Sequence, residues 1–340
     1  MSKVLSVCVP SYNMEKYLNR CIDSFLVPEV LDRLELIIVN DGSTDKTLSI
    51  ANDYKARYPQ TIVVIDKPNG HYGSCVNASL KVATGKYFRI VDADDWVDSK
   101  AMVEFVHALE RIDVDCVCTK CSTHNYKDNT VTTERINLKP NMVYGLNSSS
   151  ILIECMHMHN LTYSLCLMKR INYFQTEGIC YTDTEYVYLP LACSNDMVYI
   201  DISLYQYYIG RDDQSMSWPV LQKNYSHFIK VNERLLIEHE REHPFNKNEE
   251  LIWSVLVNRL LFFETPPYLL NTSFDQSMER VLRTSIQKLN QLGIRKPSSV
   301  YKNRFLGIPY VSIWYHSPML FKLISFLLRY SFFKNMVKKS

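Results

Sequence analysis

The chain has 340 residues, 46% hydrophobic and 22% charged, ordinary values for a globular protein that fills one large domain or two modest ones. No run of about eighteen residues is both free of charge and strongly apolar, which sets aside a membrane-spanning helix. The net charge of +2 hides an asymmetry: residues 280–340 hold twelve Lys and Arg and no acid, while the first 279 carry 26 basic against 36 acidic side chains. A basic end on an acidic body points to an anionic surface.

Met1 runs directly into a short apolar segment, with no basic-then-apolar leader. Ten cysteines without framework spacing read as small buried hydrophobes in a reducing compartment, so the cytoplasm is the expected location. The first third alternates strands and helices. Apolar runs at 5–9, 34–39, 62–65 and 87–91 predict strands buried on both faces. Between them, Tyr17, Leu18, Cys21, Ile22 and Phe25 fall at helical spacing. A second helix is expected to start at Ser43 or Thr44, capped by a hydroxyl with Asp45 in its first turn. A third ends at Val82 or Ala83, with Gly85 as its C′ residue.

Strands recurring at this interval are βαβ units of an α/β fold with a mostly parallel sheet, whose ligands bind beyond the carboxyl ends of the strands. Mixed α and β elements continue to about residue 217. Beyond that the pattern is helical at 249–263 and 274–292, around Pro266-Pro267, and irregular at 294–318. The expected organisation is a domain at 1–217 and a helical extension at 218–340 with a basic amphipathic tail.

Four strand ends deliver polar clusters to one edge. They are Pro10-Ser11-Tyr12-Asn13, Asn40-Asp41-Gly42-Ser43-Thr44-Asp45, Lys67-Pro68-Asn69-Gly70 leading to His71, Gly73 and Asn77, and Asp92-Ala93-Asp94-Asp95-Trp96. Three carboxylates in four residues repel one another unless a cation sits among them, and hard oxygen ligands suit Mg²⁺ or Mn²⁺ with substrate phosphates. In an extended segment Asp92 and Asp94 would face one ligand together. An Asp-x-Asp triplet alone is weak: Asp113-Val114-Asp115 is another, read as a strand entrance, and Asp92–Asp95 read blandly is a polar loop with a capping Asp. Cys116, Cys118 and Cys121 suggest a partial metal cluster, but strand alternation accounts for the first two.

Taken together, Val9-Pro10-Ser11-Tyr12-Asn13, Asn40 to Asp45 and Asp92-Ala93-Asp94-Asp95 resemble the successive motifs of the family 2 glycosyltransferases, which have the GT-A fold. Further on, Gly178 to Tyr186 resembles the family's acceptor-side segment, and Gly210-Arg211-Asp212-Asp213-Gln214-Ser215 its active-site loop. The likeness spans residues 4 to about 217. It implies an inverting transfer of a sugar from a nucleotide diphosphate donor, UDP-linked by resemblance only, to a hydroxyl of a glycan or lipid-linked acceptor.

Carried onto this chain, the resemblance has Pro10, Tyr12 and Asp41 border the nucleobase, with Asp41 accepting its imino hydrogen. Asp41 has a rival reading as a turn residue. Asp92 holds the ribose, and Asp94 binds a divalent cation, Mn²⁺ or Mg²⁺. Arg211 and Gln214 approach the diphosphate, and Asn69 and Asn77 belong to the donor side. Asp183 is the base, and His159 and Tyr163 line the acceptor side. Val76 stands where relatives often have Arg, and Thr182 where Glu is common, which leaves Asp183 as the sole base candidate of that pair. As a bland reading, Asp183 caps a helix beginning near Thr184.

Two alternatives stand beside this one. A sugar-phosphate nucleotidyltransferase would need a Gly-rich loop where Pro10 to Asn13 stands. A catalytically inactive nucleotide-sugar binder would be expected to lose Asp94 or Asp183. Nucleic acid is not an expected partner. In the tail, 319–339, Lys322, Ser325 and Arg329 share one helical face and Phe321, Ile324 and Leu328 another. Such a basic amphipathic helix either lies on a membrane surface or packs on the domain.

Overall fold

The computed structural model describes residues 2–146, 157–210, 220, 223–240, 280, 312–313, 316–317, 319–324 and 326–327. The helices expected at 249–263 and 274–292 and the irregular stretch at 294–318 lie wholly or mostly outside them. The chain divides into two compact units, Met1–Asp212 with Pro244–Asn248, and Asp213–His243 with Glu249–Ser340.

The four predicted strands all form: β1 (Leu5–Ser11), β2 (Leu34–Asp41), β3 (Ile62–Lys67) and β4 (Tyr87–Ile90). They pair in parallel in the order β3-β2-β1-β4. Each of the first three feeds a helix: α1 (Leu18–Phe25), α2 (Thr47–Arg57) and α3 (His71–Val82). A two-residue β5 (Trp96–Val97) and α4 (Ser99–Arg111) follow β4, and Asp98 caps α4 by accepting from the backbone N–H groups of Lys100 and Ala101 at 3.0 and 2.9 Å. The second half of the sheet is built from β6 (Cys116–Asn125), β9 (Leu161–Ser164) and the long β10 (Asp196–Ile209), with β7 (Val131–Thr133) and β8 (Val143–Gly145) pairing at its margins. α5 (Leu165–Arg170), α6 (Asp183–Cys193) and α7 (Tyr225–Glu240) complete the described elements.

Alternation along β1 shows why the sheet is covered on both faces. Leu5, Val7 and Val9 join a buried cluster with Ile22, Phe25, Phe105 and Leu109 of α1 and α4. Cys8 points the other way, where its thiol meets the Cys75 carbonyl at 3.9 Å and accepts from the Ser79 hydroxyl at 3.0 Å, both on α3. Cys116, Cys118 and Cys121 are all buried in β6. Their spacing puts Cys121 on the face opposite to the first two.

Two local expectations change. α2 starts at Thr47 rather than at Ser43 or Thr44, because Asp45 Oδ1 accepts from the Thr47 N–H at 2.9 Å and from its hydroxyl at 2.5 Å, two residues ahead. Gly85 is not a left-handed C′ residue. It is needed for close approach, since a Cβ there would lie 2.6 Å from the Ser6 backbone nitrogen.

β9 runs antiparallel to both β4 and β6. The chain therefore enters β9 from the edge where the parallel strands end, and this brings the preceding short 3₁₀ turn, Met158–Asn160, to that edge. A buried guanidinium fixes the turn. Arg89 of β4 is 1% exposed and donates to the Thr162 hydroxyl at 2.8 Å and to the His159 carbonyl.

Candidate active site

Loops from the carboxyl ends of β1 and β2 are bonded to each other. Asn13, held at φ 55°, accepts from the Thr44 N–H at 2.9 Å and donates its own N–H to Ser43 Oγ at 3.0 Å. Glu15 N–H donates to Asp45 and Lys46 N–H donates to Glu15, each at 3.0 Å. Asp41, 3% exposed at the end of β2, receives the Lys67 ammonium and the Gly70 N–H, the latter at 2.9 Å, both on Oδ1. Tyr12 stands 48% exposed beyond β1, Pro10 is partly buried, and Asn69 is exposed beside Gly70.

The acidic run is a turn, not an extended segment. The Asp95 N–H donates to the Asp92 carbonyl at 3.0 Å, so residues three apart converge. Asp92, Asp95 and His159 each bring a ligand atom within 4.8 Å of the others and could hold a metal ion. Asp94, the expected ligand, is not one of the three. Its carbonyl accepts from Arg20 Nη2 at 2.7 Å, and the Arg20 guanidinium lies 3.9 Å over Trp96 and 4.6 Å over Tyr208.

The electrostatics of the run fit a divalent cation. Burial and the neighbouring Asp94 push Asp92 up to about 7, against a lowering hydrogen bond from Tyr72. Burial, Asp94 and Asp92 push Asp95 well above the ordinary carboxylate range. Carboxylates gathered at this density are what a hard cation relieves. The Tyr72 hydroxyl donates to Asp92 Oδ1 at 2.8 Å. The Tyr205 hydroxyl donates to Asp95 Oδ2 at 2.6 Å and accepts the Asp92 N–H at 3.2 Å. The Tyr208 N–H donates to Asp95 Oδ1 at 2.7 Å. Tyr205→Phe would strip a donor from a buried carboxylate and an acceptor from a buried amide. It is expected to cost about 1–3 kcal/mol, read as a thermal midpoint lower by roughly 3–8 °C.

Asp183 is the first residue of α6 and is partly buried. Its charge contributes to raising Asp92, Tyr72 and Tyr207, so Asp183 lies near the acidic run. The Thr182 side chain does not cap the helix, and Asp183 lies inside the first turn rather than ahead of it. The segment leading to it is braced from α3. The Asn77 amide donates to the Gln175 carbonyl at 2.8 Å and to Glu177 at 2.9 Å, and accepts the Gln175 N–H at 2.9 Å. Asn77 is thus a brace of the 175–177 segment, a task different from the expected donor contact.

Gly73 lets the same segment approach, since a Cβ there would lie 2.1 Å from the Thr176 carbonyl oxygen. Gly73→Ala is expected to destabilise the chain by about 3 kcal/mol and lower the thermal midpoint by roughly 5–10 °C.

Tyr163, expected on the acceptor side, is a core residue. It is 0% exposed, donates to the Val187 carbonyl at 3.1 Å, and stacks edge-on against Tyr186 at 5.1 Å. His159 sits beside the acidic run, 4.4 Å from the Tyr207 ring and 4.6 Å from Tyr205. The 3₁₀ turn that holds His159 begins at Met158. Arg211 and Gln214 lie outside the described residues. Sequence reasoning passed over Tyr72, Tyr205, Arg20 and Arg89. The run Tyr205-Gln206-Tyr207-Tyr208 at the end of a strand was the available signal for the second of these.

The pattern of the family described as Glycosyl transferase family 2 matches residues 6–170, the stretch that carries β1 to β4 and the acidic turn. Within these residues the chain carries a Glycosyl transferase family 2 domain. A relative described as the uncharacterized glycosyltransferase EpsJ of Bacillus subtilis (strain 168) is 31% identical over 188 residues, 54% of this chain and 54% of that protein. The match thus spans about half the length of this relative.

Among solved structures, S. aureus TarS 1–349 in complex with UDP-GlcNAc superposes with a TM-score of 0.63 at 19% identity, covering 85% of this chain and 81% of that one. The mannosyltransferase PcManGT from Pyrobaculum calidifontis, in complex with GDP-Man and Mn²⁺, gives 0.50 at 14% identity, covering 100% and 89%. The fold is GT-A. Among the described residues no helix is long and apolar enough to cross a membrane.

Proposed function

We propose that the chain is an inverting glycosyltransferase that moves a sugar from a nucleotide diphosphate donor, a UDP-sugar, to a hydroxyl of a glycan or lipid-linked acceptor. The observation that carries this reading is the gathering of Asp92, Asp95 and His159 at the carboxyl edge of the sheet, with Asp183 near enough for its charge to raise Asp92. A single carboxylate on the acceptor side, facing a diphosphate-binding acidic run, suits one in-line displacement.

Within this reading the catalytic domain is 1–217, followed by the helical extension 218–340. Pro10, Tyr12 and Asp41 border the base, and Asp92 holds the ribose with Tyr72 fixing its rotamer. Arg211 and Gln214 meet the diphosphate. A divalent cation, Mn²⁺ or Mg²⁺, would neutralise charge on the departing diphosphate. The motif resemblance assigns the cation to Asp94, which stands in the run between Asp92 and Asp95, the two carboxylates that gather with His159 within 4.8 Å. Asp183 takes the proton from the acceptor hydroxyl as the new bond forms. The enzyme is cytoplasmic and peripheral, meeting its acceptor at the inner face of the membrane.

The test is a panel of nucleotide sugars incubated with the full chain, Mn²⁺ or Mg²⁺, and no acceptor, with slow release of nucleoside diphosphate measured. Release from one donor above the protein-free rate supports a transferase. Donor-induced thermal stabilisation without any release from the whole panel, even with added glycan acceptors, would mark a binder instead.

A further inference from the structure

The described part of the C-terminal tail is helical over 319–324 and 326–327. Phe321 is buried at 2% exposure, and Ile324 is partly buried. That is the face the sequence pattern marks as apolar, and it is turned inward. The helix carries a second apolar face that remains outside: Met319 is 86% exposed, Leu320 47%, Leu323 54%, Phe326 65% and Leu327 56%. With about 100° per residue, these five fall in one arc of roughly 120°, and Phe321 sits on the opposite side. Lys322, exposed, borders the arc. Five large apolar side chains with no polar group among them make a contiguous exposed patch of the kind that marks an interaction surface.

We infer that this outer face, Met319, Leu320, Leu323, Phe326 and Leu327, lies in the headgroup region of an anionic lipid surface. Phe321, on the opposite side, is buried. Charge selects the occupant. Residues 280–340 contain twelve Lys and Arg and no acid, so a second copy of the same segment would be repelled, whereas anionic headgroups are attracted. An apolar arc beside cations is the arrangement of an interfacial helix, not of a spanning one. The inference rests on the peripheral placement proposed above and is independent of the transfer chemistry.

The experiment is flotation of the full chain with vesicles of phosphatidylcholine alone and with phosphatidylglycerol added, at low and high salt. Leu323→Glu/Phe326→Glu is run beside a chain ending at Ser317. The full chain is expected to float with the anionic vesicles at low salt, the double variant at least tenfold less, and the shortened chain not at all. Leu323→Ser/Phe326→Ser, checked for an unchanged thermal midpoint, covers the case where the glutamates perturb folding. Equal flotation of the wild type and both variants would overturn the assigned face while leaving peripheral binding intact. No flotation of the full chain would overturn both. A concentration-dependent dimer in light scattering, abolished by the same pair, would make the face a self-interface and overturn the lipid assignment.

Discussion

Asp183→Asn is expected to bind a nucleotide-sugar donor as tightly as the wild type and to transfer the sugar at least about a hundredfold more slowly. The amide keeps the shape of the carboxylate at the start of α6 but cannot take up the acceptor proton. Single-turnover transfer measured beside donor calorimetry separates the two effects. Near-normal turnover would sink the assignment of the base. The neighbouring acid is a poor substitute, since Glu185 is 0% exposed and its Oε2 accepts the Thr176 N–H at 2.8 Å. Glu185→Gln should therefore lower thermal stability more than it changes the pH profile of transfer.

Asp94→Asn is expected to abolish the dependence of UDP binding on a divalent cation and to weaken binding with Mn²⁺ present. The loss should reach at least the roughly 10–100-fold that follows removal of an outer-shell partner. The fold should survive, because the turn is held by the Asp95 N–H bond to the Asp92 carbonyl and by Tyr205 and Tyr208. Asp95→Asn makes the contrast. There the bonds from Tyr205 and Tyr208 are disturbed, and stability should fall together with binding. Calorimetry with UDP, in Mn²⁺ and then in chelator, reads both variants. Equal UDP affinity with chelator, or equal affinity of Asp94→Asn and wild type in Mn²⁺, would remove Asp94 from the metal site.

The parallel half of the sheet was legible because its strands are continuous apolar runs bounded by turn chemistry, and both properties are local. Three of the observed strands extend the expected ones by two residues, into Ser11, Asp41 and Lys67, and the fourth ends one residue short, at Ile90. These polar residues remain paired in the sheet although their composition reads as loop. The acidic turn was found by composition but misread in shape. Two aspartates at i and i+2 face the same way only if the chain is extended, and the Asp95 N–H bond to the Asp92 carbonyl bends it.

Contacts across long sequence separation were not legible. Asn77 braces Gln175 and Glu177, Arg89 holds the carbonyl of His159, and Tyr205 joins Asp92 to Asp95. None leaves a periodic trace, since each depends on which strands become neighbours. Tyr163 failed for a related reason. A tyrosine reads alike whether its hydroxyl meets a sugar or, as here, a backbone carbonyl across the core.

The bracing of the 175–177 segment bears on the order of events in a catalytic cycle. Three bonds to one asparagine, a backbone approach that admits only glycine at position 73, and the Gly178 N–H bond to the Gly70 carbonyl at 2.9 Å tie the loop before Asp183 to the loop after β3. These two stretches belong to opposite partners in the proposed reaction, one beside the nucleotide and one beside the incoming hydroxyl. Fastened to each other, they are expected to move together, so that in the proposed reaction the carboxylate is positioned before either molecule arrives. The entropy of assembling the site is then met during folding, not at each turnover.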